Sequence, residues 1–386
     1  MKHRMLHLSI LPAACLALTI AVTACGGPAE ETTTTGAAPT VTTAAPTETT
    51  AAPTETTAAP TETTAAPSAD LGDFEFSLSV HDPMESNNTQ HWVWWGDQIS
   101  QATDGHVKIV IYPSSQLAAA ADVGEMVETG GVDIGWLFTP FYPGQFPLTE
   151  VVSIPMVGFD NGSLATNVLW DLYGKYPELQ EEWSKYKLLN MYGIPASVFG
   201  TIEKPILTPD DVKGRVLRCP AGLVTDLVSA LGGSPVMMAP PDIYEALEKK
   251  NISGYVFEPA GIGNFKLQEV TDYFTELPIY IGVFGLVMNW DKWNSLPPEY
   301  QAVIEGLSGR EGSLAASADM QSAADKNREL FKEAGCEFVT PTSEAQAAFA
   351  AVADKVAGTW PATVDIAGFD AAAYMADALS ILETYK

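Results

Sequence analysis

The sequence predicts an α/β protein built as two lobes around long C-terminal helices, on three observations. Short apolar strands alternate with helical segments from residue 74 onward. The same alternation restarts near residue 197. From Pro297 the chain reads as Ala-rich helix with little strand signal. Alternation of this kind argues for open, mainly parallel sheets, whose ligands sit beyond the carboxyl ends of the strands. The 386 residues suffice for two lobes of ordinary size once the ends are set aside.

Each element has its own warrant. Phe74-Glu75-Phe76-Ser77-Leu78-Ser79-Val80 alternates apolar and polar and reads as a strand, ended by His81-Asp82-Pro83. Ser86 or Asn87 caps a helix that carries Trp92, Trp95 and Ile99 on one face. A turn at Thr103-Asp104-Gly105 leads to a second strand, His106–Tyr112, stopped by Pro113. A helix over Ala118–Glu128 and a strand over Val132–Leu137 follow. In the second half, strands are expected at Ser197–Phe199, Arg215–Arg218, Val236–Met238 and Gly254–Phe257. Helices are expected from Gly222 to Leu231 and from Pro241 to Lys250. The strand-end rule singles out His81, the stretch Trp136–Tyr142 and the later strand ends as candidate ligand contacts.

The amino-terminal part has a different character. Lys2 and Arg4 precede the apolar run Leu8–Val22, which is too short for a stable bilayer span and reads as an export signal. Val22-Thr23-Ala24-Cys25-Gly26 resembles a bacterial lipobox. That resemblance implies a lipoprotein signal peptide over 1–24 and lipidation of Cys25, which would anchor the chain to the cell membrane. The alternative is an ordinary secretory signal cleaved nearby. Residues 25–70 form a Thr/Ala/Pro/Glu-rich tether in which TTAAPTE recurs from Thr42. Proline breaks each Ala pair and no large apolar residue is present, so a disordered stalk is expected.

Charge and composition exclude some partners. Lys plus Arg number 20 against 48 Asp plus Glu, a formal charge of -28, which disfavours nucleic acid. Cys219 and Cys336 are the two cysteines beyond the leader, too few for a disulfide framework, and two buried free thiols are expected. No GxSxG or HExxH motif occurs, and beyond the leader the histidines are His81, His91 and His106. Neither an enzyme nor a metal or organic cofactor is expected.

Several segments, in order, are similar to the substrate-binding subunit of TRAP (tripartite ATP-independent periplasmic) transporters, the DctP-like family. They are Thr103–Ile109 with Tyr112–Leu117, Gly130-Gly131-Val132-Asp133-Ile134, Lys204-Pro205-Ile206 through Pro220, Leu231–Val236, Ile252-Ser253-Gly254, and Asn289 with Trp293 and Leu296-Pro297. The likeness covers essentially all of 71–386. It implies a two-lobed, periplasmic-binding-protein-like fold that closes on a ligand, with lobe I at 71–197 plus about 284–324 and lobe II at 198–283 plus about 325–386. It further implies capture of a small organic acid and delivery to integral membrane transporter subunits. Other readings are a lipoprotein serving an ABC importer and a ligand-sensing lobe.

Within the resemblance, Gly214-Arg215-Val216-Leu217-Arg218-Cys219-Pro220 places Arg218 where the family binds a carboxylate. A planar, permanently charged guanidinium at a strand end suits that task. The competing reading is an ion pair with Asp210 or Asp211. The family's second Arg has no counterpart in Ala196–Gly200, and Gly254–Pro259 departs from its Asn-bearing segment. A monocarboxylate with an apolar or aromatic body is therefore expected, walled by Trp136, Phe138, Phe199, Tyr255 and Phe257. Core packing is the alternative for each of these rings. His81 is a further contact, or else a turn residue. Glu258 stands where keto-acid-binding relatives hold a bridging cation, but too few oxygen ligands are visible here to expect one.

Overall fold

A computed structural model describes residues 71–386; the expected export signal, the candidate lipidation site Cys25 and the expected tether lie outside the described residues. Eleven strands are described: β1 (Phe74–Ser79), β2 (Val107–Tyr112), β3 (Ile134–Phe138), β4 (Lys187–Gly193), β5 (Ser197–Thr201), β6 (Val216–Cys219), β7 (Ser234–Met237), β8 (Gly254–Phe257), β9 (Tyr273–Tyr280), β10 (Val283–Met288) and β11 (Glu337–Val339). They form a five-stranded sheet of order β2-β1-β3-β10-β4 and a six-stranded sheet of order β11-β9-β5-β8-β6-β7.

Both sheets are mixed rather than mainly parallel. β1 is parallel to β2 and β3, and β6 to β7 and β8, as the alternating pattern predicts. β10 is antiparallel to β3 and β4, and β5 to β8 and β9. The cause is the way the chain passes between sheets. β4 runs into β5, and β9 into β10, through a few residues with no returning helix. A strand delivered without a crossover helix enters against its neighbours' direction. The period-2 pattern of a strand is the same in both directions, so the sequence is silent on this point.

Local chemistry sets the element ends. Ser86 Oγ accepts the Thr89 amide at 3.1 Å and starts the helix Asn87–Ala102, whose Trp92, Trp95 and Ile99 are buried. Asp104 (φ 51°) and Gly105 (φ 85°) turn the chain into β2. The helix expected over Ala118–Glu128 is limited to Val123–Glu128. Residues expected as one helix over Pro241–Lys250 form a 3-10 turn and the short helix Ile243–Glu248. Cys219 and Cys336 are free and buried.

One long helix serves both sheets. Gly309–Glu333 has 25 residues, about 37 Å at 1.5 Å per residue. Near its start Ser313 Oγ accepts the Met191 amide at 2.9 Å, and Ser317 Oγ donates to Gly193 O at 2.8 Å. Nearer its end Asn327 Nδ2 donates to Pro259 O at 3.1 Å, and Phe331 stacks on Phe274 with centroids 4.8 Å apart.

The last helix departs from the expected division of the chain. Ala371–Tyr385 packs on Gly162–Lys175, beside the first sheet, rather than with the second lobe. Tyr374, Ala378 and Leu382 are buried in one cluster with Leu169 and Leu172, and Lys175 Nζ meets Asp377 at 2.7 Å. The apolar stripe of this helix matches the uncovered face of Gly162–Lys175, which an assignment by chain order alone cannot see.

Candidate functional site

The carboxyl ends of the strands in the two sheets face one small cavity. From the first sheet come His81 and Asp82 after β1, Phe138 at the end of β3, and Phe284 at the start of the reversed β10. From the second come Arg218 on β6, Pro240 beyond β7, and Phe257 and Glu258 at the end of β8. Reversal of β10 matters, since it brings the first residues of that strand to the same rim as the last residues of β3.

Arg218 is 1 % exposed. Alternation along β6 turns Leu217 into the core and Arg218 toward the cavity. Its Nε donates to Met238 O at 3.0 Å and its Nη1 to Val256 O at 3.4 Å, two carbonyls at the ends of neighbouring strands. The Phe257 ring lies 4.9 Å from the guanidinium carbon. Burial lowers its pKa to about 10, so it stays charged at neutral pH. Among the described residues no carboxylate lies within 4.0 Å of it. Asp210 pairs with Lys213, and Asp211 accepts from the Thr208 turn, so neither is its partner. A buried guanidinium whose hydrogen bonds go to two carbonyls is under-compensated, and its chemistry suits an anionic partner.

His81 sits on an aromatic stack. Its ring lies 4.5 Å from that of Trp136, and Trp136 lies 4.0 Å from Phe284. Burial lowers the His81 pKa against the pull of Asp82, so the ring is neutral at neutral pH. Asp82 is buried and accepts from Asn88 Nδ2 at 2.8 Å and from Asn264 Nδ2 at 3.3 Å. Asn264 belongs to the helix Pro259–Asn264, so this last bond joins elements of the two sheets across the cavity.

Glu258 is the N-cap of Pro259–Asn264. It accepts the Ala260 amide at 2.7 Å and the Gly261 amide at 2.6 Å. Burial outweighs these bonds and, with the charge of Asp82, raises its pKa to about 8. Both of its oxygens are thus engaged by backbone. Among the described residues no cluster of three or more His, Cys, Asp or Glu side chains is arranged to hold a metal ion.

The other candidate rings separate. Phe138 and Phe257 line the cavity. Trp136 lies behind it, donating through Nε1 to Tyr192 Oη at 2.8 Å and supporting His81. Phe199 is buried on the far face of its sheet beside Phe349. Tyr255 is one pleat back from the end of β8, lies flat over Gly200 and bonds Thr271 Oγ1 at 2.8 Å. A Cβ at Gly200 would stand 2.3 Å from that ring, so glycine is what admits it. Phe141, within the stretch Trp136–Tyr142 singled out by the strand-end rule, also lines the cavity, whereas sequence reasoning missed Asp82, Asn88, Phe265 and Phe284. Asp82 and Asn88 had a signal, being polar residues that follow a strand end and open a helix. Phe284 had none without knowledge that β10 runs backward.

A larger depression of about 840 Å³ lies between β9 and the long helix. Its Arg328 is already bound to Glu276, so it does not share the unpaired character of Arg218.

Two α/β lobes with a cavity at their facing strand ends are the architecture of the solute-binding proteins. The chain belongs to family 7 of the bacterial extracellular solute-binding proteins, the DctP family, whose model matches residues 79–360. Among curated relatives, the outer membrane transporter protein TsaT of Comamonas testosteroni is 27% identical over 219 residues, covering 56% of this chain and 64% of that protein. Among solved structures, a TRAP solute-binding protein of Rhodoferax ferrireducens with benzoate matches with a TM-score of 0.76 at 25% identity, covering 81% of this chain and 98% of that one. One from Bordetella bronchiseptica with (R)- and (S)-mandelate matches with a TM-score of 0.75 at 25% identity, covering 81% and 99%.

Proposed function

We propose that this chain is an extracytoplasmic receptor that captures a small aromatic monocarboxylate and hands it, chemically unchanged, to the membrane subunits of a TRAP-type transporter. The observation that carries the reading is Arg218, buried in the cavity with no carboxylate of its own. In this reading Arg218 grips the ligand carboxylate with the donors its two carbonyl bonds leave free. Phe138, Phe257 and Phe284 hold the ring, His81 borders it, and Trp136 fixes His81. Glu258 acts through the helix that it caps. Phe199 and Tyr255 serve the core. The benzoate and mandelate bound by the similar structures pair a carboxylate with an aromatic ring, the two features that Arg218 and the Phe138, Phe257 and Phe284 rings would meet.

The division into lobes follows the two crossings at residues 194–196 and 281–282, with Ala371–Tyr385 assigned to the first lobe. For the segment outside the described residues, the lipobox-like run supports a lipid on Cys25, with the tether carrying the receptor above the membrane.

Thermal melting of the purified protein against organic acids, sugars and amino acids tests the reading, because a ligand that binds only the folded state raises the melting temperature. The expected result is a rise with benzoate or mandelate and none with neutral sugars. A rise confined to sugars or amino acids overturns the carboxylate assignment.

A further inference from the structure

The wall opposite Arg218 has its own chemistry. Three polar side chains from the end of β1 and the start of Asn87–Ala102 border the cavity there: His81, Asp82 and Asn88. Two of their atoms are buried and lack any partner, His81 Nδ1 and Asn88 Oδ1. Both are acceptors. Asn88 gives its Nδ2 hydrogen to Asp82 Oδ2 at 2.8 Å, which leaves its oxygen lone pairs unmatched. His81 turns Nε2 toward Asp82 Oδ1 at 3.6 Å. A carboxylate there draws the single ring proton of neutral imidazole to Nε2 and leaves Nδ1 with a bare lone pair. A buried acceptor without a donor is costly, and these two belong to side chains that line the same cavity. The cavity is therefore polarised, with donors on Arg218 at one wall and acceptors on His81 and Asn88 at the other.

We propose that His81 and Asn88 form a second ligand subsite that takes a hydrogen-bond donor, a hydroxyl or an amino group, carried on the same molecule whose carboxylate binds Arg218. The ligand class is thereby narrowed from aromatic acids in general to those bearing such a donor away from the carboxylate. The inference rests on the carboxylate reading of the site and deepens it. A site built to accept a hydrogen from its ligand binds the analogue that lacks one more weakly, since the site's own buried atoms then stay unpaired.

The test is isothermal titration of the purified protein with matched series: hydroxybenzoates, aminobenzoates and hydroxyphenylacetates, each against its fluoro isostere. The best hydroxy or amino compound is expected to bind at least about tenfold tighter than its fluoro counterpart. Which of the two groups leads identifies the natural donor. In His81→Phe, which keeps a flat ring on Trp136, and in Asn88→Ala, that advantage is expected to shrink to less than about threefold. Circular dichroism melting confirms that each variant is folded, and either variant alone suffices. Fluoro isosteres that match the donors within about twofold, or a donor advantage unchanged in both variants, overturn the subsite. If carboxylates bind through Arg218 without donor preference, the subsite alone falls. If no aromatic carboxylate binds the wild-type protein, the carboxylate reading falls first and takes the subsite with it.

Discussion

Arg218 carries the proposed site because its guanidinium is fully buried. Two strand-end carbonyls fix the plane of the guanidinium, so little entropy remains to be lost on binding. Removing it, as in Arg218→Ala, is expected to weaken carboxylate binding by about 2–5 kcal/mol in titration calorimetry. Arg218→Lys should recover little, since an ammonium cannot reproduce the two-pronged geometry or the contact over Phe257. Glu258 gives a pH prediction whose sign follows from its raised pKa. The folded state keeps a proton up to about 8, whereas the unfolded carboxyl loses it near 4.5. The contribution is therefore full below 4.5 and is lost as pH rises toward 8. Between about pH 5 and pH 8 the wild-type protein should lose on the order of 2–4 kcal/mol relative to Glu258→Gln, read from urea midpoints at each pH. That Arg218, His81 and Glu258 border one cavity was legible in the sequence, because each sits at or beside a strand end. Phe199 and Tyr255 were not. Phe199 points to the face covered by Ser343–Ala357, and Tyr255 stands two residues before the strand end, roughly 7 Å short of the rim.

The elements that matter most are the two strand crossings and the helix that braces them. Gly162 and Gly193 meet where Gly162–Lys175 lies on the end of β4. A Cβ at Gly162 would stand 2.3 Å from Gly193 O, and one at Gly193 would stand 2.6 Å from the Ala165 Cβ. Backbone lies on both sides, so neither neighbour can yield by rotating. Gly162→Ala is expected to destabilise the fold by about 1–3 kcal/mol in urea denaturation, even though alanine favours helix. A gain in stability would mean that this close approach is not maintained. Strands and helices were legible wherever caps and periodicity agreed, as with Ser86 and the Trp92, Trp95, Ile99 face. Pairing direction was not, because β5 and β10 carry the same alternation whichever way they run. The short strand β11 was not legible either. Its three residues lie inside an Ala-rich helical stretch and gain their strand from pairing with β9.

At the scale of the whole molecule, two crossings and one 25-residue helix join the sheets, while Asn264 and Asp82 bridge the cavity between them. The crossings border the cavity that the strand ends face, since Ile194 of the first lines it and Gly282 of the second lies against Phe138. The acidic surface adds a kinetic consequence. With a formal charge of -28 the chain repels an anionic ligand at a distance, although the cavity itself presents Arg218. Added salt screens that repulsion, so the association rate for benzoate in stopped-flow fluorescence should rise with ionic strength. A fall would point to a basic funnel at the cavity mouth.

The most direct measurement is a crystal structure of the protein grown with benzoate. Both carboxylate oxygens are expected within about 3 Å of the Arg218 guanidinium, with the ring between Phe138, Phe257 and Phe284. A benzoate bound elsewhere, with Arg218 still held only by the Met238 and Val256 carbonyls, would contradict it.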